Sequence, residues 1–481
     1  MKSWHDECGV FGIWNHPEAS RLTYLGLYAI QHRGQESAGI VSLDTTDVGV
    51  SGIPEHIHHK GLGLVADVFD EDSLNRLKGR HSIGHVRYST TGQNYLTNAQ
   101  PLTAKLLNGP IAIAHNGNIV NAESLRNELK RLGAIFQGTN DTEVLLHLIA
   151  HHKSAVIEEC LKEELVKLQG AYSFTLLTHD KMIAARDIQG FRPLVLGKIN
   201  LDDGGESFCV ASETCAFDLI GAEFVREIEP GEILIVDDSG MTSQRLDSKS
   251  NRTAQCVFEH VYFARPDSKV FGRSVYQSRK EFGRMLAREN RVEADIVIPV
   301  PDSGVPSALG YSEESGIPFE LGIIRNHYVG RTFIEPKQSI RSFGVKIKLN
   351  PQQEVLQGKR VVVIDDSLVR GTTSKKIIQL VRQYGAKEVH LRIAAPPTVG
   401  PCFYGVDTPS KSELIASHNS VSEICEFVGA DSLSYLSMEG LAQVFGGGGS
   451  CRDSGYCAAC FGEDYPTELF GLDLKSSKGD N

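Results

Sequence analysis

Residues able to do covalent chemistry appear at once, in the run Cys8-Gly9-Val10-Phe11-Gly12-Ile13. Read alone, Cys8 is as well explained as a buried thiol. Removal of residues 1–7 would change its chemistry, because Cys8 would then carry both a thiol and a free α-amine. An α-amine titrates at about 7.7–8.0, which suits a general base at neutral pH. Nucleophile and base would then share one residue. In Gly84-His85-Val86-Arg87, the arginine ends a strand-like run and suits bidentate capture of a carboxylate. Ala114-His115-Asn116-Gly117-Asn118 follows an apolar run, and the Asn116 side chain with the Gly117 amide can donate to an oxyanion. Asn140-Asp141-Thr142-Glu143 offers the Asp141 carboxylate to a substrate ammonium. Singly, each reads as a turn or a cap. Together they describe a site for an α-amino acid bearing a hydrolysable acyl group.

A second string is Val361-Val362-Val363-Ile364-Asp365-Asp366-Ser367-Leu368-Val369-Arg370-Gly371-Thr372-Thr373. A loop of small residues opening a helix presents free N–H groups to a phosphate, aided by the helix dipole. The paired carboxylates can reach ribose hydroxyls or a Mg²⁺ ion, which favours oxygen ligands. Upstream, Ile296–Val300 reads as a strand ending in Pro301-Asp302-Ser303-Gly304. A third set is sulfur. Of ten cysteines, Cys160, Cys209, Cys215 and Cys425 sit in apolar patterns and read as core thiols. Cys457-Ala458-Ala459-Cys460 is a metal-type pair, and Cys256 and Cys402 lie far from it. Four such thiolates suit zinc or an iron–sulfur cluster; Cys256 and Cys402 read equally as core thiols.

The elements that must position these residues fall into two patterns. From Cys8 to about residue 240, short strands such as Ile111–Ala114, Tyr172–Leu177, Ile183–Ala185 and Ile233–Val236 alternate with turns. Helices are expected at about 122–132 and 142–152, the latter capped by Asn140 or Asp141. This is an α+β half. A polar stretch, 241–256, reads as a linker. Beyond it, strand, loop, helix and strand alternate, with a helix at about 373–384 stopped by Gly385. That is the α/β signature of a parallel sheet with flanking helices. Gly446–Gly449, three cysteines and a polar tail follow.

With 481 residues, 41% apolar, the chain is long enough for two to four globular domains and is not a disordered, collagenous or disulfide-scaffold chain. A net charge of −11 without basic blocks argues against nucleic acid or an anionic membrane as partner. No run reaches the ~20 apolar residues of a membrane helix, and the charged start lacks a secretory core. A cytoplasmic setting is expected.

The half from Cys8, including Gln31-His32-Arg33-Gly34-Gln35-Glu36-Ser37-Ala38-Gly39, resembles the N-terminal-nucleophile glutamine amidotransferase domain, an αββα sandwich. The Asp365–Thr373 string, Val300–Ser307 and the run Tyr328-Val329-Gly330-Arg331-Thr332-Phe333-Ile334 resemble the substrate motifs of type I phosphoribosyltransferases. Joined in one chain, the two are similar to the glutamine phosphoribosylpyrophosphate amidotransferase family. That resemblance implies glutamine hydrolysis at Cys8 and transfer of the ammonia to 5-phosphoribosyl 1-pyrophosphate, the entry step of purine synthesis. It implies Asn116 and Gly117 at the oxyanion, and Arg87 and Asp141 on glutamine. At the second site it implies Mg²⁺ at Ser303, Asp365 and Asp366, with Arg370, Gly371, Thr372 and Thr373 on the 5-phosphate and Arg331 on a closing loop. The branch with a propeptide, here 1–7, carries a [4Fe–4S] cluster, implied on Cys256, Cys402, Cys457 and Cys460 but not Cys451. Domains are expected at 8–240 and 257–400, with a C-terminal segment 401–481. A homotetramer inhibited by purine nucleotides is also implied. One departure is Arg325-Asn326-His327, where the family often has Lys-Asn-Arg. A hexosamine synthase would share the first half but lack the Asp-Asp string. A nucleotide-sensing regulator would not need the whole amide-binding set.

Overall fold

The computed structural model describes residues 8–46, 48, 52–88, 96–106, 109–247, 252–326 and 349–469. The expected propeptide 1–7, His327, the run Tyr328–Ile334 with Arg331, and the tail beyond 469 lie outside those residues.

The first half is built on two antiparallel sheets. One has seven strands in the order Glu223–Glu227, Val195–Asn200, Glu206–Ala211, Gly9–Trp14, His81–Arg87, Ser37–Leu43, His56–Leu62. The other has six, in the order Gly240–Arg245, Glu232–Asp237, Met182–Arg186, Gly170–Leu177, Gly109–Ile119, Leu102–Leu106. The sheets face each other across a core of Val10, Trp14, Val41 and Ile83 from one and Ala112, Ala114, Leu177 and Ala184 from the other. They approach closely at Gly12, where a Cβ would stand 2.8 Å from Thr175 Cγ2. Helices Ala19–Ala29 and Cys215–Ile220 cover the outer face of the first sheet. Helices Ala122–Arg131, Glu143–His151 and Ile157–Glu164 cover the second. The result is four layers, αββα.

The second half holds a parallel sheet in the order Ile296–Pro299, Arg360–Asp365, Glu388–Ile393, Ser432–Tyr435. Val297, Val362 and Ile364 point to a core shared with helices Val275–Glu289 and Val305–Ser315. Ile296, Ile298, Val361 and Val363 point the other way, toward Thr372–Gln383 and Val421–Val428. Burial of both faces explains why these strands read as unbroken apolar runs.

Two observed boundaries differ from the expected division. The stretch 241–256 is not a free linker: Gly240–Arg245 pairs with Glu232–Asp237 along its whole length, and Gln255–Cys256 pairs with Tyr456–Cys457. Gly240–Arg245 is an outer strand whose side chains are mostly exposed, so it needs no apolar residues to form. The parallel sheet also draws its fourth strand, Ser432–Tyr435, from within 401–481. Among the described residues, no helix is long and apolar enough to cross a membrane.

Candidate active site

Cys8 is buried where the first sheet meets the second. The residue after it opens strand Gly9–Trp14, which runs beside His81–Arg87 with Gly9 opposite Val86. This register sets Cys8 next to the end of that neighbour; its Sγ lies 3.6 Å from the carbonyl oxygen of Tyr88. Arg87, 3% exposed, is the last residue of the same strand. Two hydrogen bonds cross between the sheets. His85 Nε2 meets the His115 carbonyl oxygen at 2.9 Å, which fixes the neighbour of Asn116. The Ser212 hydroxyl accepts from Val10 N at 3.0 Å and lies 3.4 Å from Asn116 Nδ2.

Asn116 has one end of its amide uncommitted. Its Oδ1 is buried without a partner, and a flip about the side-chain bond exchanges that end for the N–H donor. Gly117 follows with φ +146°, and a Cβ there would stand 2.2 Å from the Ala171 carbonyl oxygen. Only glycine fits. Asp141, in contrast, is well supplied: Oδ2 accepts from Ile119 N and Oδ1 from Thr142 N, each at 2.9 Å. Burial by itself raises this carboxyl, but the His115 ring 3.6 Å away and the two backbone N–H groups outweigh it. The balance lies below the usual carboxylate range, so Asp141 is charged at neutral pH. Sequence reasoning singled out Cys8, Arg87, Asn116, Gly117 and Asp141, and the fold brings the elements that carry them side by side. It missed Ser212 and Gln100, whose Oε1 accepts from His115 N at 2.7 Å. Neither carries any local signal.

The second constellation sits at the C-terminal ends of the parallel strands, where ligands bind in open α/β sheets. Asp365 closes strand Arg360–Asp365; Asp366 follows, with its N–H 3.0 Å from Asp365 Oδ1. Both carboxyls are pushed upward. For Asp365 the causes are burial and then the charge of Asp366. For Asp366 burial leads, partly offset by hydroxyls of Ser303 and Ser367 and by Arg279. Ser303 lies near Asp366, on the loop after Ile296–Pro299. Two buried adjacent carboxyls with a hydroxyl suit a hard divalent cation. Gly371, φ +70°, caps helix Thr372–Gln383, leaving the first-turn N–H groups of Thr372 and Thr373 outside the helical ladder. Arg370 is turned to the side, its Nη2 2.9 Å from Glu413 Oε1.

Cys256, Cys402, Cys457 and Cys460 line one small pocket, closed by Phe191, Phe258, Tyr404 and Tyr465. Cys451 is not among them. Burial pushes the Cys457 thiol up to about 12. The Cys460 thiol is also raised well above its ordinary value, by burial and then by Cys256, Cys402 and Cys457. Among the described residues, no three Cys, His, Asp or Glu side chains converge as a single-ion site. The four thiols surround a volume instead of meeting at a point.

The segment Cys402–Gly405 leaves this pocket and lies against the first site. Asn118 Nδ2 donates to the Phe403 carbonyl oxygen at 2.9 Å. Arg192 Nε and Nη2 donate to that of Tyr404 at 2.8 and 2.7 Å. Gly405 stands so close that its Cβ would lie 3.0 Å from the Cα of Gly117.

Comparison with known proteins matches residues 85–218 to the glutamine amidotransferase domain and 275–398 to the phosphoribosyl transferase domain. The chain is 49% identical to an amidophosphoribosyltransferase of Bacillus subtilis, over 98% of this chain and 96% of that one. It is 54% identical to the chloroplastic amidophosphoribosyltransferase 1 of Arabidopsis thaliana, over 99% of this chain and 81% of the other. A solved structure of the B. subtilis glutamine phosphoribosylpyrophosphate amidotransferase, complexed with ADP and GMP, superposes with a TM-score of 0.89, covering 97% of this chain and 98% of that one.

Proposed function

The chain belongs to the amidophosphoribosyltransferase family, and from that premise we propose how its residues divide the reaction. The enzyme hydrolyses glutamine and transfers the ammonia to C1 of 5-phosphoribosyl 1-pyrophosphate, the first committed step of purine biosynthesis. The observation that carries the assignment of roles is the gathering of Cys8, Arg87, Asn116, Gly117 and Asp141 at the meeting of the two sheets.

Arg87 holds the glutamine α-carboxylate and Asp141 its ammonium. With residues 1–7 removed, the Cys8 α-amine takes the thiol proton, and Sγ adds to the side-chain amide carbon. The new oxyanion is held by the Gly117 N–H and by the Asn116 amide, turned so that its N–H₂ end replaces the uncommitted Oδ1. The proton passes to the leaving nitrogen, ammonia departs, and water then releases glutamate from the thioester. Ammonia moves within the protein to the second site. There Asp365, Asp366 and Ser303 hold Mg²⁺, which when bound neutralises pyrophosphate charge. Thr372, Thr373 and Gly371 hold the 5-phosphate with backbone N–H groups, Arg370 lends charge, and Arg331 belongs to the loop that covers the substrate. Ammonia bonds to C1 as the C1–O bond to pyrophosphate breaks.

Cys256, Cys402, Cys457 and Cys460 hold a [4Fe–4S] cluster. Four thiols lining one apolar pocket, with no His, Asp or Glu among the described residues that line it, suit the all-cysteine ligation of an iron–sulfur centre. Its role is structural, since neither half-reaction moves electrons. Purine nucleotides act as inhibitors of a cytoplasmic homotetramer; the B. subtilis relative, solved with ADP and GMP, supports the nucleotide part.

The test measures pyrophosphate release with glutamine and with ammonia as nitrogen source. Cys8→Ala should cut the glutamine-dependent rate by on the order of 10³-fold or more, the scale of losing a nucleophile, and leave the ammonia-dependent rate. Asp366→Asn should lose both. Intact mass of the active protein should begin at Cys8. Loss of the ammonia reaction in a folded Cys8→Ala enzyme would overturn the two-site assignment.

A further inference from the structure

Beneath Cys8 lies a buried ion cluster to which both halves contribute and which the reaction above leaves unused. Arg33, in the turn Gln31–Arg33, donates through Nε to the carbonyl oxygen of Cys8 at 3.1 Å. Its terminal nitrogens grip Glu259 as a fork, Nη1 to Oε2 at 2.9 Å and Nη2 to Oε1 at 2.7 Å. Nη1 also reaches Glu213 Oε1 at 2.6 Å. Arg192 completes the cluster, 3.3 Å from Glu259 Oε1. The side chains of Arg33, Arg192, Glu213 and Glu259 are all 0% exposed, so two positive and two negative charges are fully desolvated together. His32 Nε2 meets Glu213 Oε1 from the edge, at 2.7 Å.

Such a cluster is a poor device for stability alone, because desolvation consumes most of the Coulombic gain. What it supplies is position. A planar guanidinium held bidentately by a carboxylate has one orientation, and here that orientation aims Nε at the Cys8 carbonyl. Glu259 is in turn held by its own element. It opens a single π-helical turn, Glu259–Phe263, a geometry that in helices often marks functional sites. Arg279, from helix Val275–Glu289, takes the carbonyl oxygens of His260, Tyr262 and Ala264 at 2.8, 2.7 and 2.8 Å. The far half of the chain thus presses a fixed carboxylate against the one guanidinium, among the described contacts, that holds the nucleophile's backbone.

We propose that Glu259 is a positioning residue for Cys8. Acting through Arg33, it fixes the backbone that carries both the thiol and the α-amine, and so keeps them aligned with Asn116 and Gly117. The inference rests on Cys8 being the nucleophile. Misplacement of a reacting group by about 1 Å costs on the order of 10²-fold in rate, which sets the scale of the effect.

The test uses the full chain with Glu259→Gln and Glu259→Asp. The first keeps the shape and removes the charge; the second keeps the charge and withdraws the carboxylate by one methylene, so a folded variant remains if the uncharged one fails to accumulate. The expected result is a fall in kcat with glutamine of about ten- to a hundredfold, with KM for glutamine little changed. Ammonia-dependent turnover should stay within about twofold. Carbamidomethylation of Cys8 by iodoacetamide, read by peptide mass, should slow in parallel. Glutamine and ammonia rates falling in equal proportion would mean a merely structural role and overturn the proposal, as would an unchanged kcat with unchanged alkylation. Failure of the underlying reading shows separately, as glutamine-dependent turnover that survives Cys8→Ala.

Discussion

At the scale of single residues, the Asp365–Asp366 pair places a measurable load on the second site. Both carboxyls are raised, Asp365 by burial and then by its neighbour's charge, Asp366 by burial above all. A carboxyl raised in the folded state binds its proton more tightly there than in the unfolded chain. Its stabilising contribution is therefore complete below the ordinary carboxylate range, near 3.9, and is lost as pH rises through the raised value. At pH 7.5 without substrate the pair is a liability that bound Mg²⁺ and substrate would relieve. Asp365→Asn should raise the Tm of the ligand-free protein at about pH 7.5 by roughly 2–4 °C, the scale of ~1 kcal/mol in a domain of this size. The gain should shrink as pH falls through the raised value, where the wild-type carboxyl regains its proton. Added Mg²⁺ with 5-phosphoribosyl 1-pyrophosphate should raise the wild-type Tm more than the variant's. Scanning calorimetry across pH decides it, and a lowered Tm for the variant at neutral pH would contradict the account.

Among the elements, strand Gly109–Ile119 and segment Cys402–Gly405 form a close junction between the first site and the far half. Gly405 has φ +104°, and a Cβ would intrude to 3.0 Å from both Cα and C of Gly117. Gly405→Ala should push on Gly117, the proposed oxyanion donor, and lower glutamine-dependent kcat by about tenfold, within the range seen for loss of transition-state alignment. Ammonia-dependent turnover is the internal control; equal losses in both would show that the contact serves folding only. Legibility in the sequence varied by element for physical reasons. The helix expected at 142–152 is Glu143–His151, but neither expected cap caps it: Thr142 is the N-cap, without a side-chain cap bond, and Asn140 Oδ1 and Asp141 Oδ1 each accept from Thr142 N at 2.9 Å, before the first turn. Helix Ala19–Ala29 went unread because its buried face includes Ser20, Thr23 and Gly26. Gly26 is small because the Phe11 ring occupies the space, 2.4 Å from where a Cβ would be. The outer strand Gly240–Arg245 carried no apolar alternation because solvent, not core, faces it.

For the molecule as a whole, the groups legible in sequence were those whose chemistry is local: Asp365 with Asp366, Asn116 with Gly117, Cys457 with Cys460. The groups that join the halves, such as Arg33 with Glu259, stand 226 residues apart and have no local pattern to reveal them. The four-cysteine pocket combines both kinds. Metal analysis of anaerobically purified full-length protein should find about four iron atoms per chain and little zinc, and Cys457→Ser should lose most of that iron; zinc in place of iron would refute the cluster. The same pocket also sets a timetable during synthesis. Strand Gln255–Cys256 pairs, among the described residues, with Tyr456–Cys457 alone, and that partner is translated about 200 residues later, a delay of roughly 10–40 s at ribosomal rates. Through that interval Gln255–Cys256 lacks its ladder partner and is held from the earlier side, where Cys256 N donates to the Phe191 carbonyl oxygen at 3.1 Å, while the αββα layers before it are already free to fold. The nascent chain can therefore finish its glutamine-hydrolysing half well before it completes the four-cysteine pocket, whose last two thiols, Cys457 and Cys460, arrive long after Cys256.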